Sequence, residues 1–68
     1  MNKQIENNFT HHSPTQEQIS RYQKIRNEAL ILAMLIDGKC PNSREKSLAM
    51  TKLEETVMWA NAAIARNE

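Results

Sequence analysis

The feature that most constrains this chain is an unbroken apolar run inside a helical pattern, Ala29-Leu30-Ile31-Leu32-Ala33-Met34-Leu35-Ile36. A helix packed against one partner hides one stripe from water, so a segment apolar all round needs cover on further sides. The run is too short to span a bilayer. With 68 residues there is room for one small domain, and a chain of that size buries only roughly 60% of its extended surface. Small folds add disulfides, a metal or further copies. The single cysteine, Cys40, makes no internal disulfide, and His11-His12 brings no HxxxH or CxxC companion with metal-ligand spacing. Self-association is the remedy left, and no cofactor is expected.

The apolar run belongs to a longer helix. Ser13-Pro14-Thr15-Gln16 reads as its start, with Ser13 as cap, Pro14 at the first helical position and Gln16 completing a capping box. Ile19, Tyr22, Ile25, Ala29, Leu32/Ala33 and Ile36 then recur in steps of three and four along one face. Gly38 is expected to stop the helix in a left-handed conformation, after a length of about 36 Å. Pro41 bars continuation. Asn42 or Ser43 caps a second helix, and Asn42 with Glu45 spells a capping box. That helix runs from about Ser43 to Arg66, with Met50, Leu53, Val57, Ala60 and Ile64 at coiled-coil-like spacing. Upstream, Met1 to Thr10 is rich in Asn and Gln, a weak helix former.

The expectation is therefore an all-α fold: an antiparallel two-helix hairpin (13–68) with a short polar N-terminal arm (1–12), assembled into a symmetric homo-oligomer. The polar N-terminus has no apolar h-region, and a lone cysteine suits a reducing compartment, so a cytoplasmic location is expected. Nine Lys+Arg against eight Asp+Glu give a net charge of +1, which argues against a DNA-coating protein. A hairpin without a third, recognition helix argues the same way. No membrane partner is expected.

Nothing gathers a nucleophile, a base and an orienting group, so the chain reads as a non-enzyme. The carboxylates stand beside cations, as in Glu45-Lys46 and Lys52 with Glu54 and Glu55, and ion pairs on solvated faces explain them. The basic residues are more informative. Arg21 and Lys24 fall on the outer side of the first helix, and Arg26 close to its apolar stripe. Arg44 and Lys46 occupy the first turn of the second helix, where a cation opposes the dipole, so either Glu45 and solvent compensate or an anion is bound there. Phe9 either packs on the body of the fold or walls a ligand site. Tyr22 and Trp59 either pack at the seam edge or stack on a base. His11 and His12 are either mobile surface or cap packing, or form a lid over a nucleotide that donates to phosphate or stacks on a base.

The run Ser43-Arg44-Glu45-Lys46-Ser47-Leu48-Ala49-Met50-Thr51-Lys52-Leu53-Glu54-Glu55, the run Val57 to Arg66, and the opening Phe9-Thr10-His11-His12-Ser13-Pro14 are similar to the hairpin domain of small phage proteins. They resemble the phage anti-CBASS and anti-Thoeris sponge superfamily over roughly Phe9 to the end. The likeness is to members with this Phe-Thr-x-His opening and is more distant from the best-known anti-CBASS sponges. The resemblance implies a helical homo-oligomer, typically a hexamer, in the host bacterial cytoplasm. It implies sequestration of cyclic di- or trinucleotide messengers, without cleavage, in pockets between subunits. It places a phosphate-binding basic residue at Arg26 and a base-stacking aromatic near His11, where this chain has histidine instead of tyrosine. The placing of Arg44, Lys46 and Arg66 in a ligand site comes from the residues alone. The competing expectation is a helical protein-interaction module that docks on a host protein through Ala29 to Ile36.

Overall fold

The computed structural model describes residues 2–68, and the described residues form three helices and no strand: α1 (Lys3–Asn8), α2 (Gln16–Lys39) and α3 (Arg44–Asn67). Met1, the first residue of the expected arm, lies outside the described residues. The α2–α3 pair is the expected hairpin, and α1 is an addition to it. Asn2 caps α1 by accepting from the Gln4 backbone N–H at 2.7 Å, the Gln4 amide donates to Asn8 at 2.8 Å, and the Thr10 hydroxyl donates to the Glu6 carbonyl at 2.6 Å. These local bonds offset the poor helix propensity of an Asn-rich segment. The segment also lies against α3, which supplies the tertiary support that a six-residue helix lacks alone.

The start of α2 falls two residues beyond the expected cap. Thr15, not Ser13, is the N-cap: its hydroxyl accepts from the Gln18 N–H at 3.1 Å, and the Gln18 side chain accepts from the Thr15 N–H at 3.0 Å. Pro14 stands just outside the helix and disfavours helical backbone at Ser13. The end of α2 also differs from expectation. Gly38 is helical, with no positive φ, and the helix runs on to Lys39 before Cys40 turns extended at φ −112°, ψ 140°. Two causes replace the glycine stop. Pro41 pushes Cys40 out of the helical region. The Lys46 ammonium donates to the Asp37 carbonyl at 2.9 Å, satisfying a terminal acceptor that a left-handed cap would otherwise serve. Ser43 then caps α3, accepting from the Lys46 N–H at 3.1 Å while donating to the Pro41 carbonyl at 3.0 Å. The Asn42–Glu45 box does not form, because the Asn42 side chain accepts from the Lys46 ammonium instead.

The seam follows the predicted spacing. Ile19, Tyr22, Ile25, Ala29, Ala33 and Ile36 of α2 are half-buried against half-buried Met50, Leu53, Val57 and Ala60 of α3, while Leu32 stays exposed. Only Ile64, 8% exposed, is buried among the described residues. The hairpin is a thin plate of 48 × 26 × 12 Å with a radius of gyration of 15.2 Å, against about 11 Å for a compact chain of this length. Its surface of 5577 Å² exceeds by about 1,200 Å² the roughly 4,400 Å² of a compact monomer of equal mass. Much of what is uncovered is apolar: Leu30, Ile31, Met34 and Leu35 on α2, and Leu48, Met58 and Trp59 on α3, are all exposed.

Candidate functional site

Arg21 shows how the far end of the hairpin is held. Its guanidinium donates to Glu17 one turn earlier at 2.8 Å and, as a two-pronged fork, to both carboxylate oxygens of Glu68, with the Nη1 contact at 2.7 Å. The start of α2 is thereby tied to the end of α3, and Arg21 is half-buried rather than outward as its sequence position suggested. The fork holds the Glu68 carboxyl below the usual glutamate range, first through the Arg21 hydrogen bond. The Arg21 pKa is raised, most by the Glu68 hydrogen bond. Lys24 does point outward, where it pairs with Glu28 at 2.8 Å. Mutual hydrogen bonding raises the lysine pKa and lowers the glutamate one.

Arg26, five residues further along α2, is differently placed. It is exposed, and no ion pair or hydrogen bond engages it among the described residues. It stands over the cleft between the two helices and borders two recesses. One, of about 300 Å³, is lined by Tyr22, Arg26, Asn61, Ala62 and Ala65. The other, of about 310 Å³, is apolar, with Ala29, Leu30, Ala33, Leu53 and Val57 beside Arg26 and Glu54. A free guanidinium beside an aromatic ring and small side chains can take a phosphate bidentately while leaving room for a flat ring. Sequence reasoning named Tyr22 and Arg26 here but missed Asn61, Ala62 and Ala65. The available signal was a lone carboxamide in the run Trp59-Ala60-Asn61-Ala62-Ala63-Ile64-Ala65, where alanines keep the floor low.

A third recess, of about 500 Å³, opens between α1 and the end of α3. His12 and Arg66 line it together with Lys3, Gln4, Thr10 and Glu68. The structure thus gathers two of the sequence-derived residues, His12 and Arg66, at one place, and two others, Tyr22 and Arg26, at another.

The remaining candidates lie elsewhere. His11 is exposed and lines neither of these recesses. Phe9 is 88% exposed, so it does not pack on the body of its own chain; as the residue closing α1 it is directed by the helix end rather than by the core. Trp59 is 58% exposed on the outer side of α3, apart from both recesses. Arg44 is exposed at the first position of α3, about 25 Å along that helix from Asn61 at 1.5 Å per residue. Lys46 is occupied in its own chain. Only 11% of its side chain is exposed, and its ammonium meets the Asp37 carbonyl, the Asp37 carboxylate at 3.2 Å and the Asn42 amide oxygen at 3.0 Å. These contacts compensate the Lys46 charge in the first turn of α3.

Among the described residues no three His, Cys, Asp or Glu side chains gather as metal ligands, and no helix is long and apolar enough to cross a membrane. Comparison with curated proteins and with solved structures finds no match. Comparison with family models matches residues 1–65 to the Acb2/Tad1, hairpin domain. The match begins ahead of Phe9 and takes in α1 as well as both hairpin helices. An all-helical hairpin matched over nearly its whole length carries one conclusion: the chain belongs to the Acb2/Tad1 hairpin-domain family, the anti-CBASS/anti-Thoeris sponges of cyclic oligonucleotides.

Proposed function

We propose that this protein is a phage immune-evasion sponge: it sequesters cyclic di- or trinucleotide second messengers without cleaving them and so blocks CBASS-type antiviral signalling in the host cytoplasm. The observation that carries the reading is Arg26, a cation poised over the interhelical cleft with no carboxylate partner among the described residues. A cation on a protein surface without a partner is cheap to keep in water and available to a phosphate. Tyr22 beside it, and His11 and His12 ahead of α2, supply planar groups for a base. Arg66, with His12 at the α1–α3 recess, supplies a second place for an anion.

The excess surface supports an assembly of several copies, a hexamer in this reading. The lone hairpin leaves about 1,200 Å² more uncovered than a compact monomer of 7.9 kDa, above the roughly 800 Å² that each partner contributes to a standard interface. Covering the α2 strip with further copies closes the shallow recesses from another side. Symmetry then repeats Arg26, which matches a ring carrying two phosphates. Binding without chemistry needs affinity and stoichiometry, and sequestration acts by mass action on the free messenger.

Native mass spectrometry with a panel of cyclic di-, tri- and tetranucleotides tests this reading, followed by calorimetry on Arg26→Ala. The substitution removes no hydrogen bond or ion pair among the described residues, so fold and assembly are expected to stay as in the wild type. Loss of a charge-assisted contact worth about 1.5–3 kcal/mol weakens binding by roughly 10- to 100-fold. Unchanged affinity removes Arg26 from the site. A purified protein that stays monomeric, binds none of the panel and captures a host protein through α2 would establish the competing interaction-module reading.

A further inference from the structure

The polarity of α1 is inverted. Its half-buried residues are Asn7 and Asn8, and its polar side chains Lys3, Gln4, Glu6 and Asn7 line the recess against α3. Its apolar residues are the uncovered ones: Ile5 is 51% exposed and Phe9 88%. They stand four apart, so they share one face of the helix. The Phe9 N–H donates to the Ile5 carbonyl at 3.3 Å, which holds Phe9 in the helical turn. An amphipathic helix turns its apolar side toward whatever covers it. Among the described residues of this chain, nothing covers this face. We infer that it plugs the apolar recess beside Arg26 in a second copy of the chain, Phe9 entering the hollow over Ala29 and Ala33.

That recess has the matching chemistry. Apart from Arg26 and Glu54 its lining is apolar, and Ala29 and Ala33 leave about 310 Å³ open between Leu30, Leu53 and Val57. A cavity of about 150 Å³ is enough for a benzene ring. Phe9 does not occupy the recess in its own chain. Among the described residues α1 packs on α3 alone, at the level of Arg66, Asn67 and Glu68. Val57 and Leu53 stand nine and thirteen residues before Arg66, about 14–20 Å along that helix. A second copy is the occupant that the surface favours. Every chain carries one plug and one hollow, so copies satisfy one another. The uncovered excess of about 1,200 Å² exceeds the roughly 800 Å² that each partner gives to a standard interface. A patch of that area is about 30 Å across, wide enough to hold plug and hollow together, and a two-fold pair makes the contact twice. The apolar recess then serves assembly, and the Tyr22 recess stays open to a ligand. The inference rests on the self-association in the proposed function and not on the identity of the ligand.

Sedimentation equilibrium over a dilution series tests the contact as a double-mutant cycle, on the wild type, Phe9→Ala, Ala33→Leu and the two combined, with helical circular dichroism read alongside. Phe9→Ala is expected to raise the dissociation constant of the assembly roughly 10- to 100-fold, through loss of a buried phenyl group. Ala33→Leu fills the hollow and is expected to weaken association at least tenfold. The combined variant is expected within about threefold of the weaker single one, since one contact is not lost twice. Should Ala33→Leu lose its helical signal, Leu30→Gln at the exposed rim takes its place in the cycle. A Phe9→Ala protein that assembles as tightly as the wild type overturns the contact. So do losses that multiply in the combined variant, because plug and hollow then act at separate surfaces. A wild type that stays a single chain at every concentration removes this contact and the assembly reading together. A wild type that assembles, shows the coupled losses and binds no cyclic oligonucleotide removes the sponge reading and supports the contact.

Discussion

Ile31→Glu places one carboxylate in the strip that the lone hairpin leaves uncovered. Leu30, Ile31, Met34 and Leu35 are 58%, 61%, 66% and 54% exposed. Together they leave rather more than two whole apolar side chains in water. Covering them is worth about 4–7 kcal/mol per copy at 1.5–3 kcal/mol per fully buried side chain. The share of Ile31 is about 1–2 kcal/mol. Glutamate forfeits that share and adds the cost of an unpaired buried carboxylate, several kcal/mol more, so the substitution cancels most of what drives assembly. Within the hairpin the side chain points away from the seam, and glutamate is the better helix former of the two. Ile31→Glu should therefore keep its helical circular dichroism while sedimentation velocity finds single chains, at concentrations where the wild type is an oligomer. Ile31→Ala should fall between them, with dissociation appearing only on dilution. The wild type should also melt at a temperature that rises with protein concentration, as linkage requires of an assembly. An Ile31→Glu protein sedimenting at wild-type mass would refute the burial argument, and so would a well-folded wild type that stays a single chain at every concentration.

Two further outcomes separate structural from ligand-facing charges. Lys46→Met should lower stability to urea by about 0.5–1.5 kcal/mol, since it removes the hydrogen bond to the Asp37 carbonyl and unlocks the turn, while cyclic-nucleotide affinity measured by calorimetry is retained; a variant of wild-type stability with weakened affinity would place Lys46 in a phosphate site. Glu68 is held below its ordinary value of 4.5 by Arg21, so its contribution is present at neutral pH and is lost as pH falls through that lowered value. Glu68→Gln should accordingly lower stability at pH 7 and flatten the acid limb of the stability–pH curve below the usual glutamate range. An acid limb identical to the wild type's would show that the Arg21 clasp contributes nothing in solution.

Much of the fold was readable from spacing alone. A helix is a local object: the three-and-four rhythm from Ile19 to Ile36 and from Met50 to Ile64 sets which face turns inward, and Pro41 sets where one helix gives way to the next. The ends of the helices were less so, because several residues compete for each cap. Thr15 displaced Ser13 through a reciprocal bond with Gln18, and Lys46 reached back across the turn to make a glycine stop unnecessary. The small helix α1 needed α3 beside it.

For the site, the boundary between the two kinds of information is a matter of distance along the chain. Residue types marked Tyr22, His12 and Arg66 as suited to a planar, phosphate-bearing ligand, and the family resemblance marked Arg26. Only the tertiary structure decided which cations are free. Arg21 and Arg26 stand five residues apart in sequence, yet Arg21 meets Glu68 at the end of α3, whereas Arg26 meets no carboxylate among the described residues. Lys46 is consumed by Asp37, and the Oδ1 of half-buried Asn61 is shielded from water. A charge's availability depends on what the fold brings within about 4 Å of it, and that pairing is set by the packing of two helices rather than by either one.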